Sequence, residues 1–271
     1  MMRRAVLAAA FSLIVSQVSA GSRVLSLDQC ADQYVLALSP RADIVGLSTR
    51  ATRSDSYLGA QAHGLPLRRA SEETILAARP DIVVRYWGGD ERLLARLAGR
   101  GVTVVRIDDA TDFPGIRSNV RRVAQALKQR STGEVLIAGM DRQLAASREV
   151  WRGARAFYLT SGGDTAGSGT LVDSMMRAAG LTNAETGPGF RPVSLEQLVL
   201  HPPDAIVGGF FDADSDASQS WGIGRHQVAR DLLERRGLVR LPASLLGCPA
   251  WFAGDGVAAI AASRGRRNAG G

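Results

Sequence analysis

The sequence predicts an α/β protein of two similar lobes, each with mostly parallel strands, joined by one long helix. Three observations carry this reading. Strand-like and helix-like segments alternate along the chain, the pattern of crossover connections between parallel strands. A block with fixed spacing occurs twice, 123 residues apart. A long helical stretch separates the two copies.

The elements follow in order. Arg23–Leu27 reads as a strand and Cys30–Leu38 as a helix stopped by Pro40. Ile44–Leu47 is the next strand, and Ser71–Arg79 a short helix. Ile82–Tyr86 is a strand, Asp90–Ala98 a helix and Val102–Ile107 a strand. A helical region begins near Pro114 and breaks at Gln129–Ser131. Its second part, about Thr132–Trp151, places Leu136, Met140 and Leu144 four apart on one face. Twenty residues at ~1.5 Å each would span ~30 Å, about the width of a small domain. The pattern then restarts: Ala156–Thr160 strand, Thr170–Ala179 helix, Leu195–Leu200 helix, Ala205–Val207 strand. Val228–Arg235 reads as helical and Gly256–Ala262 as the closing helix. The expected boundaries are therefore a first lobe at 21–128, a connecting helix at 129–152, a second lobe at 153–262 and a flexible basic tail at 263–271.

The repeated block has a local mechanism. Ser71-Glu72-Glu73 leads to Pro80-Asp81, and Ser194-Leu195-Glu196 leads to Pro203-Asp204. Each serine can cap a helix whose first turn carries a glutamate, where the helix dipole favours negative charge. Proline then ends the helix, and the apolar run after Asp enters a buried strand.

Composition narrows the function classes. The chain has 271 residues, 33 Lys and Arg against 26 Asp and Glu, and a net charge of +7. Lys128 is its sole lysine, and the arginines are scattered rather than gathered in a stripe, so nucleic acid is not expected as a partner. At the N-terminus, Met1-Met2-Arg3-Arg4 precedes the apolar run Ala5–Val15, and Val18-Ser19-Ala20 offers a cleavage site. The expectation is export to the periplasm with a signal peptide, residues 1–20, cut after Ala20. No later segment is long and apolar enough to span a bilayer.

Arg23–Asp28, the two Glu-to-Pro-Asp blocks, Tyr86-Trp87-Gly88-Gly89 and Gly162–Leu171 together resemble the periplasmic binding proteins of ABC importers for cobalamin and ferric siderophores. Ala179–Asn183 matches the same pattern. The likeness covers most of residues 23–262 and is nearest to the cobalamin branch through the Trp-Gly-Gly after the strand at Ile82. It implies two Rossmann-like lobes with a ligand cleft between them, and binding without catalysis. It further implies a metal-chelate ligand, a corrinoid ahead of ferric siderophore or haem, delivered by a monomer to a permease dimer with its ATPase subunits. Glu73 and Glu196 correspond to the residues that dock on the permease, one per lobe.

The remaining chemistry favours binding over catalysis. The glycine-rich run Gly162–Gly169 is neither a dinucleotide turn nor a phosphate loop, and no G-x-S-x-G elbow occurs. His63, His201 and His226 lack the spacing of a zinc site. Asp212, Asp214 and Asp216 lack the glycine and closing glutamate of a calcium loop. An exported two-lobed enzyme stands as the alternative. Aromatic pairs follow matched strands: Tyr86 and Trp87 in the first copy, Phe210 and Phe211 in the second. In open α/β sheets ligands sit beyond such strand ends, so these four are expected to line the cleft. Trp221 is expected as a third wall, with Trp251 and Tyr57 as weaker members. No cofactor or structural metal is expected. Cys30 and Cys248, the two cysteines, can bridge the lobes in an oxidising compartment or remain free thiols.

Overall fold

The computed structural model describes residues 21–210 and 238–268. The expected signal peptide, the expected helix at 228–235 and the aspartates at 212–216 lie outside them.

The first lobe contains β1 (Val24–Ser26), α1 (Gln29–Leu38), β2 (Ile44–Ser48), β3 (Leu67–Arg68), α2 (Glu72–Ala77), β4 (Ile82–Tyr86), α3 (Glu91–Gly99) and β5 (Thr103–Ile107). Its strands form one parallel sheet in the order β3-β2-β1-β4-β5. Both faces are covered. Leu25, Val83 and Leu97 pack on one side, and Val24, Tyr34 and Val84 belong to the core on the other. Burial on both faces explains why Ile82-Val83-Val84 reads as an unbroken apolar run.

Two helices follow, α4 (Phe113–Ala126) and α5 (Arg130–Ser147). Between them Lys128 is exposed and holds φ +57°, a left-handed turn that breaks the helix close to the predicted place. Close packing of α4 on α5 requires Gly133, since a Cβ there would sit 2.6 Å from that of Ala124. At 18 residues α5 is ~27 Å long, and it ends at Ser147, short of the predicted Trp151.

The second lobe holds β6 (Arg155–Thr160), β7 (Asp164–Ala166), α6 (Leu171–Ala178), β8 (Thr182–Asn183), β9 (Phe190–Pro192), α7 (Leu195–Leu200), β10 (Ala205–Gly209), β11 (Leu238–Leu241), α8 (Ala243–Leu246) and α9 (Ala253–Asn268). Its main sheet is parallel in the order β11-β10-β6-β8, and β7 pairs antiparallel with β9. The closing helix α9 is longer than expected. It runs through the predicted tail as far as Asn268, with Ser263 buried and its hydroxyl donating to the Ile260 carbonyl. Among the described residues no helix is long and apolar enough to cross a membrane.

The repeat reappears as matched geometry. In the first lobe the Arg23 N–H donates to the Asp81 carboxylate at 2.7 Å while the Asp81 N–H donates to the Arg23 carbonyl at 2.8 Å. In the second, Arg155 and Asp204 form the same pair at 2.9 and 2.8 Å. Each Pro-Asp thus clasps the start of the central strand of its lobe. Ser71 and Ser194 cap α2 and α7 by accepting from the Thr74 and Gln197 N–H groups.

One buried carboxyl stands out in the first lobe. Asp32 is fully buried and accepts from the Ser26 hydroxyl, the Ser48 N–H at 2.8 Å and the Ser48 hydroxyl at 2.5 Å. Burial outweighs these bonds and pushes its pKa up to about 6. Between about pH 4 and 6 the folded chain therefore holds more protons than the unfolded chain, and this group's contribution to stability falls as pH rises through that window. Urea midpoints of wild type and Asp32→Asn across pH 4–7 are expected to differ in slope there, the variant lacking this decline.

Candidate functional site

The strand order turns back at β1, which pairs with β2 on one side and β4 on the other. Crevices form at such switch points beyond the carboxyl ends of the strands. Asp28 occupies this one. One carboxylate oxygen caps α1 at the Ala31 N–H, the other accepts from the Tyr86 N–H at 2.9 Å, and Arg85 lies 3.7 Å away. Asp28 thereby fixes the end of β4, from which Tyr86 projects.

A cavity of about 300 Å³ lies between the lobes. Tyr86, Asp109, Ala110 and Thr111 line it from the first lobe. The second lobe contributes the start of α6 at Gly169–Val172, Phe190 of β9, and Leu246, Gly247 and Pro249 beside α8. The Ser174 hydroxyl donates across the gap to the Thr111 carbonyl at 2.8 Å. The Tyr86 hydroxyl donates to the Asp109 carboxylate. Burial, then that bond and the negative charge of Asp109, push the Tyr86 phenol up. Tyr86 is therefore a neutral phenol at physiological pH, presenting a ring and a committed hydroxyl rather than a phenolate.

Phe190 was not among the sequence candidates, although the repeat offset leads to it. It lies 123 residues after Leu67 of β3, and both are exposed, Phe190 at 64% and Leu67 at 43%. The β7–β9 pairing that presents Phe190 relies on glycine. Gly189 holds φ +69°, and a Cβ on Gly167 would fall 1.8 Å from the Gly187 carbonyl oxygen. Gly167 belongs to the glycine-rich run singled out in the sequence, which here serves to bring two backbones together.

The other candidates divide. Trp87 is 58% exposed, meets Tyr86 edge-on at 6.2 Å and stands outside the cavity wall; Gly88 and Gly89, both at positive φ, follow it. Phe210 follows β10 at φ +62° with its carbonyl accepting from the Ser161 hydroxyl, and it too is absent from the wall. Phe211 and Trp221 lie outside the described residues. Trp251 and Tyr57 sit in a seam between the lobes. The Trp251 ring packs edge-on to Tyr34 at 5.4 Å, and Tyr57 stacks on Phe252 at 4.2 Å. The Tyr57 hydroxyl donates to Asp255 at 2.6 Å, and that of Tyr34 to the Pro249 carbonyl at 2.8 Å. Cys30 and Cys248 are joined by a disulfide in this seam, with Cα atoms 5.3 Å apart. Among the described residues no cluster of His, Cys, Asp or Glu could hold a metal ion. Glu73 and Glu196 are exposed, each in the first turn of its helix.

Residues 24–244 match the family model described as periplasmic binding protein. No curated protein matches the chain. Among solved structures, it is similar to the periplasmic haem-binding protein RhuT from Roseiflexus, with 26% identity, a TM-score of 0.68 and coverage of 89% of this chain and 98% of that one. A periplasmic haem-binding protein from Pseudomonas aeruginosa shares 25% identity at a TM-score of 0.67, covering 89% and 92%. The periplasmic vitamin B12-binding protein BtuF of Vibrio cholerae, 20% identical at a TM-score of 0.61 with coverage of 89% and 95%, is similar in fold.

Proposed function

The chain belongs to the periplasmic binding protein family, and from that premise we propose that it captures a tetrapyrrole metal chelate, a corrinoid or haem, in the periplasm and delivers it to an ABC importer. The observation that carries this reading is the cavity bounded by Tyr86 in one lobe and Phe190 in the other. Aromatic faces add stacking to area burial and suit a broad conjugated ring, whereas a small polar solute would leave an exposed Phe190 unused. The sequence likeness ranked a corrinoid first. The two similar structures named above at 25% and 26% identity are haem-binding proteins, which raises haem to equal standing. Ferric siderophores rank lower, because the described wall carries no basic side chain to meet an anionic chelate. A catalytic role finds no support, since the family is one of binding proteins.

Gel filtration of the mature protein with haemin, cyanocobalamin and a ferric hydroxamate in parallel tests the assignment. One of the two tetrapyrroles is expected to co-migrate as colour. Co-migration of the hydroxamate alone would overturn it. A Tyr86→Ala variant is expected to bind the tetrapyrrole about tenfold more weakly, the scale of a lost aromatic contact with its buried area. Titration followed by tryptophan quenching checks this.

A further inference from the structure

We infer that the Cys30–Cys248 disulfide confers binding competence, so that the chain holds its ligand tightly only after oxidation. This rests on the tetrapyrrole reading above. Cys248 lies between Gly247 and Pro249, which both line the cavity, and Leu246 precedes them in the same wall. Cys30 lies two residues after Asp28, whose carboxylate anchors the Tyr86 N–H on the opposite wall. The single covalent link between positions 218 residues apart therefore ties the two faces of one cavity. The Gly247–Trp251 stretch falls between the end of α8 at Leu246 and the start of α9 at Ala253, so helix geometry does not fix its path. Without the bridge, this stretch is held at the first lobe by the hydrogen bond from Tyr34 to the Pro249 carbonyl and by the Tyr34–Trp251 ring contact.

A wall fixed before binding lowers the ordering cost that a ligand would otherwise meet, and the gain shows mainly in slower dissociation. Cytosolic thiols are kept reduced, so a chain not yet exported would carry the loose wall. Such a chain would leave tetrapyrroles of the cytoplasm uncaptured. Two-electron reduction by a dithiol opens the S–S bond to two thiols while the dithiol closes to its own disulfide; reoxidation reverses the change.

The test compares oxidised wild type with Cys30→Ala/Cys248→Ala, titrated with haemin and cyanocobalamin without reductant, since reductant would alter iron or cobalt. The variant is expected to keep the circular dichroism of the fold while binding about tenfold more weakly with faster release. Equal affinity in both proteins, with the fold retained, would overturn the inference and leave the bridge as a staple alone. Should the variant not fold, wild type reduced by a dithiol and freed of it under nitrogen is titrated instead, then reoxidised by air. Recovery of tight binding supports the inference, and affinity unchanged throughout overturns it. Binding of neither tetrapyrrole by oxidised wild type would remove the functional reading itself, a result distinct from equal binding in both redox states.

Discussion

A chain carrying both Glu73→Ala and Glu196→Ala is expected to bind its ligand as wild type does and to support no uptake. The two glutamates occupy the same frame of the repeated block, one on α2 and one on α7. Their surroundings argue for an external partner. Next to Glu73, Glu72 is occupied, engaging Arg96 at 2.6 Å and also Arg100. Glu73 and Glu196 themselves are exposed and take part in no salt bridge among the described residues. A first-turn carboxylate adds only ~0.3–1 kcal/mol to a helix, so alanine at both sites leaves the fold intact. Exposed carboxylates suit bidentate pairing with arginine, and the permease dimer that the family likeness implies would offer two equivalent places for two lobes. Ligand titration and whole-cell uptake measured on the same double variant decide the matter. Surviving uptake would assign both residues to helix capping, and lost binding would assign them to the fold.

Removal of the Cys30–Cys248 bridge is expected to cost about 5 kcal/mol of unfolding free energy. The chain-entropy model sets this scale: closing a loop of some 218 residues strips conformational freedom from the unfolded chain, and the loss grows with the logarithm of loop length. Few single changes in a domain of this size reach that figure. Guanidinium unfolding of wild type and of Cys30→Ala/Cys248→Ala gives the comparison. A difference below ~1 kcal/mol would mean that the unfolded chain is already compact around the seam.

The lobes were legible because their signals are local. The Ser cap, first-turn Glu, Pro stop and apolar run of each block act within fourteen residues, and Leu195–Leu200 and Ile82–Tyr86 fall at their predicted bounds. Short pairings were not legible. The two residues of β3 and the three of β9 carry too little periodicity, and their pairing partners decide them. The wall of the cavity was less legible for the same reason. Tyr86 follows from its place at a strand end. Trp87 and Phe210 share that place but do not line the cavity, and the positive φ of Phe210 is a backbone feature that no side-chain pattern displays. Trp251 and Tyr57 pack against rings of the opposite lobe, an arrangement that sequence does not distinguish from facing a cleft. Phe190 was hidden by its setting, a lone aromatic among glycines and prolines.

The left-handed turn at Lys128 has a chemical consequence. It places the only lysine of the chain on the surface at the joint between α4 and α5, where the polypeptide leaves one half of the molecule for the other. A lysine-specific protease can therefore cut this protein at one bond only, and that bond divides it into its two halves. The disulfide spans the cut. The nicked molecule should travel as one species on a denaturing gel without thiol and as two fragments with it, a ready means of obtaining each half from the same preparation.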